Sequence, residues 1–270
     1  MTAAAPKPEP IRLSDYRPPD WLVDRVELDF RLGEDASEVA ARLEMRRNPA
    51  GDPGAPLVLD GQELELLGVK LEGEPLGANR YSVDDDHLIV HEAPDSFRLE
   101  TRVRIHPERN TALEGLYLSG GSFCTQCEPE GFRKITYFCD RPDVMARYRV
   151  RIEADRERCP VLLANGNRIG QGELEGGRHF AIWEDPFAKP SYRFALVGGQ
   201  LGKLEDRFIT ASGRRVALEI YTEPHEVAKC HHAMASLKKA MQWDQDRFGL
   251  EYDLDVFMIV AVSDFNFGAM

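Results

Sequence analysis

Val26-Glu27-Leu28-Asp29-Phe30-Arg31-Leu32 alternates an apolar residue with a charged one at every step. Successive side chains of a strand point to opposite faces, so this stretch reads as a β-strand with one face buried and the other in water. The same rhythm returns at Val39, Ala41, Leu43 and Met45, at Phe97, Leu99, Thr101, Val103 and Ile105, and at Tyr148, Val150, Ile152 and Ala154. Asn48-Pro49-Ala50-Gly51-Asp52-Pro53-Gly54 is loop text, and Asn165-Gly166 and Gly176-Gly177 stand where hairpins should turn. Asp84-Asp85-Asp86 lacks the further ligands of a calcium loop and reads as a turn between Tyr81-Ser82-Val83 and Leu88-Ile89-Val90. Residues 1–200 are therefore expected to form an all-β domain. A sandwich is favoured over a barrel, although the period alone does not separate them.

The text changes after Gly198-Gly199. Val216, Leu218 and Ile220 give one more alternating strand. From Pro224 to Phe248 the apolar positions Val227, Cys230, Met234, Leu237, Met241 and Phe248 fall at helical spacing, with Gly249 as the stop. Val256 to Val262 is continuously apolar, which predicts a strand covered on both faces in a mixed α/β layer, with neighbours outside this chain. Residues 201–270 thus read as the opening of a second, incomplete unit.

Composition bounds the function. The 270 residues carry a net charge of -12, which argues against a nucleic-acid or anionic-membrane binder, since either partner selects a basic surface. Met1 to Pro10 is Pro-rich without a signal-peptide core, and no run reaches membrane-spanning length. Five cysteines, an odd number, point to free thiols and a cytoplasmic location.

Few residues suggest chemistry. Cys124-x-x-Cys127 has no second pair at ribbon spacing, because Cys139 and Cys159 stand singly, so a zinc or redox role gives way to packed thiols. His225, His231 and His232 lie on the expected helix without the His-Glu-x-x-His spacing, and this chain is expected to hold no complete metal site. Glu128 precedes Pro129, and X-Pro is the peptide bond that becomes cis at low cost; a cis bond would turn the chain sharply and aim the carboxylate into a cleft. The bland reading of Glu128 is one surface acid among many.

Gln126-x-Glu128 ahead of Gly131-Phe132-Arg133, and Gly268-Ala269-Met270 behind the apolar strand, resemble two motifs of the M1-family zinc aminopeptidases of the bacterial aminopeptidase N type. The likeness continues through Ile135-Thr136-Tyr137, Asp140 to Val144, Leu163 to Asn167, Trp183 to Pro190, Phe194 to Val197, Trp243-Asp244 and Arg247 to Asp255. It implies a mainly β fold, with a β-sandwich-like saddle domain at 1–200 followed by the first strands and helix of an α/β thermolysin-like catalytic domain at 201–270.

It further implies that Gln126 and Glu128 line the pocket for the first residue of a peptide, Glu128 accepting hydrogen bonds from the α-ammonium. Phe267, where many bacterial relatives have Met, would cushion the first side chain, and Gly268, Ala269 and Met270 would begin the substrate clamp. In the complete enzyme a zinc held by two histidines and a glutamate activates water, and all those groups would follow Met270. The chain is accordingly expected to be the front third of a monomeric peptidase, cut within its Gly-Ala-Met-Glu-Asn motif and inactive alone. The competing expectation is a non-catalytic β-sandwich module that binds peptides or another protein.

Overall fold

In the computed structural model, which describes residues 12–265, the alternation at Val26 is what it looks like. Val26, Leu28 and Phe30 are buried, while Asp29 and Arg31 face water. In chain order the strands are β1 (Trp21–Arg31), β2 (Ser37–Arg47), β3 (Leu57–Asp60), β4 (Glu65–Leu71), β5 (Glu74–Pro75), β6 (Tyr81–Val83), β7 (His87–Val90), β8 (Ser96–Ile105) and β9 (Gly115–Ser119). There follow β10 (Ser122–Gln126), β11 (Met145–Asp155), β12 (Val161–Ala164), β13 (Asn167–Glu173), β14 (Arg178–Pro190), β15 (Leu196–Gly199), β16 (Gly202–Ile209) and β17 (Arg215–Thr222). The helix α1 (His231–Phe248) and the strand β18 (Val256–Val260) complete the order. The fold is mainly β.

The large sheet runs β13-β14-β11-β1-β2-β8-β4-β5, antiparallel except where β1 meets β11 in parallel. Its outer face is a lattice of opposite charges. Arg42 reaches Glu27 at 2.7 Å and Glu100 at 3.4 Å, Arg104 reaches Glu65 at 3.1 Å, and Arg151 reaches Asp29 at 3.0 Å. Each such exposed pair is worth at most about 1 kcal/mol, so the lattice selects register more than it stabilises. The inner face shares one core with the small sheets β12-β15-β10-β9 and β3-β7-β6. At its centre Phe132 lies edge-on to Phe138, Tyr148 and Phe194, with centroids 5.0, 6.1 and 5.2 Å away.

Gly176 and Gly177 take φ of +70° and +73° and turn the β13–β14 hairpin as expected. Asn165-Gly166 does not turn a hairpin. There the chain leaves β12 in one sheet for β13 in another, and Asn165 instead ties the crossing down by donating to Arg193 O and accepting from Ala195 N.

After β15 a fourth sheet, β16-β17-β18, packs with α1 on a second core of Phe208, Val216, Leu218, Ile220, Met234, Leu237 and Met241. The expected helix is two pieces: a 3-10 segment, Pro224–Cys230, and then α1. The first piece lies against the backbone of Gly202, where a Cβ would meet Val227 at 2.5 Å. Gly249 ends α1 at φ +66°, its N–H donating to Gln245 O. Phe248 departs from the expected apolar stripe and stays exposed, edge-on to Trp243 at 5.2 Å.

β18 also differs from expectation, because a neighbour is present in this chain. It pairs in parallel with β17 across α1, a βαβ unit. Val256, Met258 and Val260 touch the larger core, and Phe257 and Ile259 the smaller one. Its other edge has no strand partner among the described residues.

Candidate functional site

Gly120 and Gly121, at φ +54° and +84°, close a two-residue turn that only glycine enters without strain, and so join β9 to β10. The hairpin register places Gln126 opposite Gly115 and Cys124 opposite Tyr117. Directly opposed residues share a face, and so do residues two apart, so Gly115, Tyr117, Ser119, Cys124 and Gln126 lie on one face.

Gln126 is only 1 % exposed. Its Nε2 donates to the Glu128 carbonyl at 3.1 Å, which fixes the amide orientation and leaves Oε1 buried and, among the described residues, without a partner. The Glu128–Pro129 bond is cis. Glu128 itself is exposed, outside any closed pocket formed by the described residues, and its carboxylate makes no ion pair among them.

The loop beyond is rigidly tied. Gly131 N donates to Cys127 O at 2.8 Å, and a Cβ on Gly131 would lie 2.4 Å from Gln126 O, so only glycine permits this approach. Arg133, in the 3-10 turn Gly131–Lys134, donates from its backbone N and its Nε to Asp140 Oδ2, both at 3.1 Å. Ser191 Oγ donates to Asp140 Oδ1 at 2.6 Å, and Asp140 N donates to Asp60. Burial pushes the Asp140 carboxyl up, with Ser191 and Arg133 pulling the other way. Arg133 and Asp140 each stand in a stretch that carries the family likeness, but their pairing is not legible there, because a seven-residue spacing matches no motif; only the turn brings them together.

The thiols are packing groups. Burial pushes Cys124 and Cys139 up to about 12 and Cys127 well above its ordinary value, so all three stay protonated at neutral pH. Among the described residues no three His, Cys, Asp or Glu side chains converge as a metal requires. His225 is exposed beside Glu223 and Glu226, and His232 faces Ser236.

Phe267, Gly268, Ala269 and Met270 lie outside the described residues. The chain leading to them is described as far as residue 265. Ala261 N donates to Tyr221 O at 2.9 Å, and Ser263 Oγ donates to Glu223. Asp264 then meets β9: its N donates to Ser119 Oγ at 3.0 Å, its Oδ2 accepts from Ser119 Oγ at 3.1 Å, and its carbonyl accepts from Tyr117 OH at 3.0 Å. These partners are more than 140 positions apart, and nothing in the sequence pattern signals them.

Residues 27–193 match the Peptidase M1 N-terminal domain. The chain is 55% identical over 263 residues to Aminopeptidase N of Caulobacter vibrioides, a match covering 97% of this chain and 30% of that protein. Aminopeptidase A of Legionella pneumophila, solved in complex with aspartic acid, superposes with a TM-score of 0.88 at 38% identity, over 93% of this chain and 30% of its own. The M1 zinc metallopeptidase of Deinococcus radiodurans shares the fold at a TM-score of 0.74 and 18% identity, over 89% of this chain and 56% of its own. The chain thus spans about 30% of the curated relative's length.

Proposed function

From the premise that this chain belongs to the M1 peptidase family, we propose that it supplies amino-terminus recognition to a zinc aminopeptidase of its relatives' length. The observation that carries this reading is the buried Oε1 of Gln126, two residues from the carboxylate of Glu128, neither with a partner among the described residues. Both groups only accept. A peptide's α-ammonium brings three donors and a charge, whereas a mid-chain amide brings one donor and none. Such a pair rewards a free amino end and leaves an internal segment of peptide unrewarded, as an exopeptidase needs.

Zinc finds no ligand set among the described residues. What this chain's residues would do is bind and orient. Gln126, its amide fixed by its own Nε2 bond, offers an acceptor that is already oriented. Phe267, Gly268, Ala269 and Met270 would supply the facing wall, with the small Gly and Ala letting a peptide backbone approach in strand fashion.

The test is a hybrid in which this chain is followed by the remainder of the Caulobacter vibrioides relative, assayed with an aminoacyl anilide. Glu128→Ala should lower kcat/KM by about 10- to 150-fold, the worth of a hydrogen bond to a charged group. An unchanged kcat/KM would remove Glu128 from the site. The 270-residue chain alone, given zinc and the same substrate, is expected to show no turnover. Turnover there would mean that the reacting centre lies within this chain.

A further inference from the structure

The loop from Cys127 to Lys134 carries two carboxylates, Glu128 and Glu130, and two cations, Arg133 and Lys134. Both cations are turned away from Glu128. Arg133 Nη1 meets Glu130 at 3.3 Å, and Lys134 Nζ meets Glu63 at 3.2 Å and Glu114 at 3.1 Å. Glu128 is left with no ion-pair partner among the described residues. The Arg133 fork is held in that direction by Asp140, whose side chain is 1 % exposed. Arg133 donates to it three times, from its backbone N and its Nε to Oδ2 and from Nη2 to the carbonyl. Ser191, just past β14, donates to Oδ1, and the Asp140 N–H donates to Asp60 at the end of β3. The loop is thus hung from two strands through one buried carboxylate.

We propose that Asp140 and Arg133 are positioning residues for the amino-end acceptors: their mutual bonds fix the turn that presents Glu128 and keep the loop's guanidinium off its carboxylate. They touch no substrate. This rests on the reading of Gln126 and Glu128 as acceptors for the α-ammonium. The turn tolerates little displacement, since Gly131 N reaches Cys127 O at 2.8 Å while a Cβ on the same residue would lie 2.4 Å from Gln126 O. The backbone tie from Gln62 N to Arg133 O, at 3.0 Å, holds the turn but not the guanidinium. Without the Asp140 carboxylate, a guanidinium on a flexible stem shares the loop with an unpaired carboxylate. An arginine that reached Glu128 would take the charge that an ammonium needs.

Two measurements test it. On the chain itself, Gly131 N–H bonds to Cys127 O and not to Asp140, so its exchange reports the turn. In Asp140→Ala it should quicken by about tenfold, roughly one hydrogen bond's worth, while β11 amides keep their protection. Unchanged exchange at Gly131 overturns the tie between Asp140 and the loop. Should Asp140→Ala loosen β11 as well, Arg133→Lys, which leaves a cation beside Asp140 but no fork, decides on the same amide.

In the hybrid with the Caulobacter vibrioides remainder, the readout is inhibition of anilide turnover by L-leucine and by isocaproate, the same skeleton without the amine. Asp140→Ala and Arg133→Lys should weaken leucine about tenfold and isocaproate by no more than about twofold, because only the amine uses the acceptors. Asp140→Asn, which keeps an oxygen for Arg133, should bring leucine back to within about threefold of the unsubstituted hybrid, and its failure to do so overturns a role through those bonds. Equal weakening of both compounds shows structural support alone and overturns positioning. Glu128→Ala separates the two readings. If it leaves leucine unchanged, the ammonium reading fails; if it weakens leucine while Asp140→Ala and Arg133→Lys do not, positioning alone fails. An inactive unsubstituted hybrid counts against the proposed function, and exchange at Gly131 then decides whether Asp140 fixes the turn.

Discussion

β10 and β18 are each five residues long, and each is uniform along its length in the opposite sense to its composition. Ser122-Phe123-Cys124-Thr125-Gln126, mixed and partly polar, is buried at every residue. Val256-Phe257-Met258-Ile259-Val260, wholly apolar, is half-buried at every residue. Place in the sheet explains the inversion. β10 has β9 on one side and β15 on the other, while β18 has, among the described residues, β17 alone. Polar groups on β10 tolerate burial because partners wait for them: Thr125 Oγ1 accepts from Leu196 N at 2.8 Å and donates to Leu196 O at 3.3 Å. Within β10, Gln126 Oε1 is the buried side-chain atom left without a partner among the described residues, and the candidate site sits at that end.

If burial against a completed core is what distinguishes the two strands, the largest effect should come from the core that backs β10. Phe132 is fully buried between Phe138, Tyr148 and Phe194, and Phe132→Ala should cost about 3–5 kcal/mol in urea unfolding of the chain. A loss near 1 kcal/mol would mean that the ring cluster collapses into the space and that β10 is less firmly backed than its burial indicates.

The next effect is alkaline and belongs to β10 itself. The Cys124 thiol is raised from 9.0 to about 12, by burial first and then by the Asp264 charge. Its folded value lies above its unfolded one, so the stability it contributes is complete below about pH 9 and is lost as pH rises toward the folded value. Between pH 9 and 11 that loss approaches about 2–3 kcal/mol from this thiol. Cys124→Ala should therefore flatten the alkaline fall in unfolding free energy relative to the native chain. Parallel pH profiles would show that water reaches the thiol and that β10 is not sealed.

The contrast also explains what the sequence revealed. Period-two text is legible wherever one face of a strand meets the core and the other meets water, and β1, β2, β8 and β11 were all readable on that ground. β10 has no such text because both its faces are covered, and Ser122, Thr125 and Gln126 look like surface residues until Leu196 is brought beside them. The site divides in the same way. Gln126 and Glu128 could be singled out by motif resemblance, but Asp140 behind them and Ser119 facing Asp264 depend on contacts made by folding alone. The crossing at Asn165-Gly166 differs from the expected hairpin for a related reason, since local text specifies a turn and not which sheet receives the next strand.

The smallest effect should fall on β18. Ile259 packs against the second core yet remains half-buried, so Ile259→Ala removes only part of the contact that a sealed position would lose. The expected cost is about 1 kcal/mol, against about 2–5 for a fully buried isoleucine. A cost equal to that of Phe132→Ala would erase the difference between the strands and place β18 within a sealed layer. The same substitution in the hybrid with the Caulobacter vibrioides remainder sharpens the point. If added chain pairs with the open edge of β18, Ile259 becomes more deeply buried there and the cost should rise toward the fully buried range. If the cost stays near 1 kcal/mol in both proteins, the half-burial of β18 is a settled property of this sheet and not an edge awaiting a neighbour.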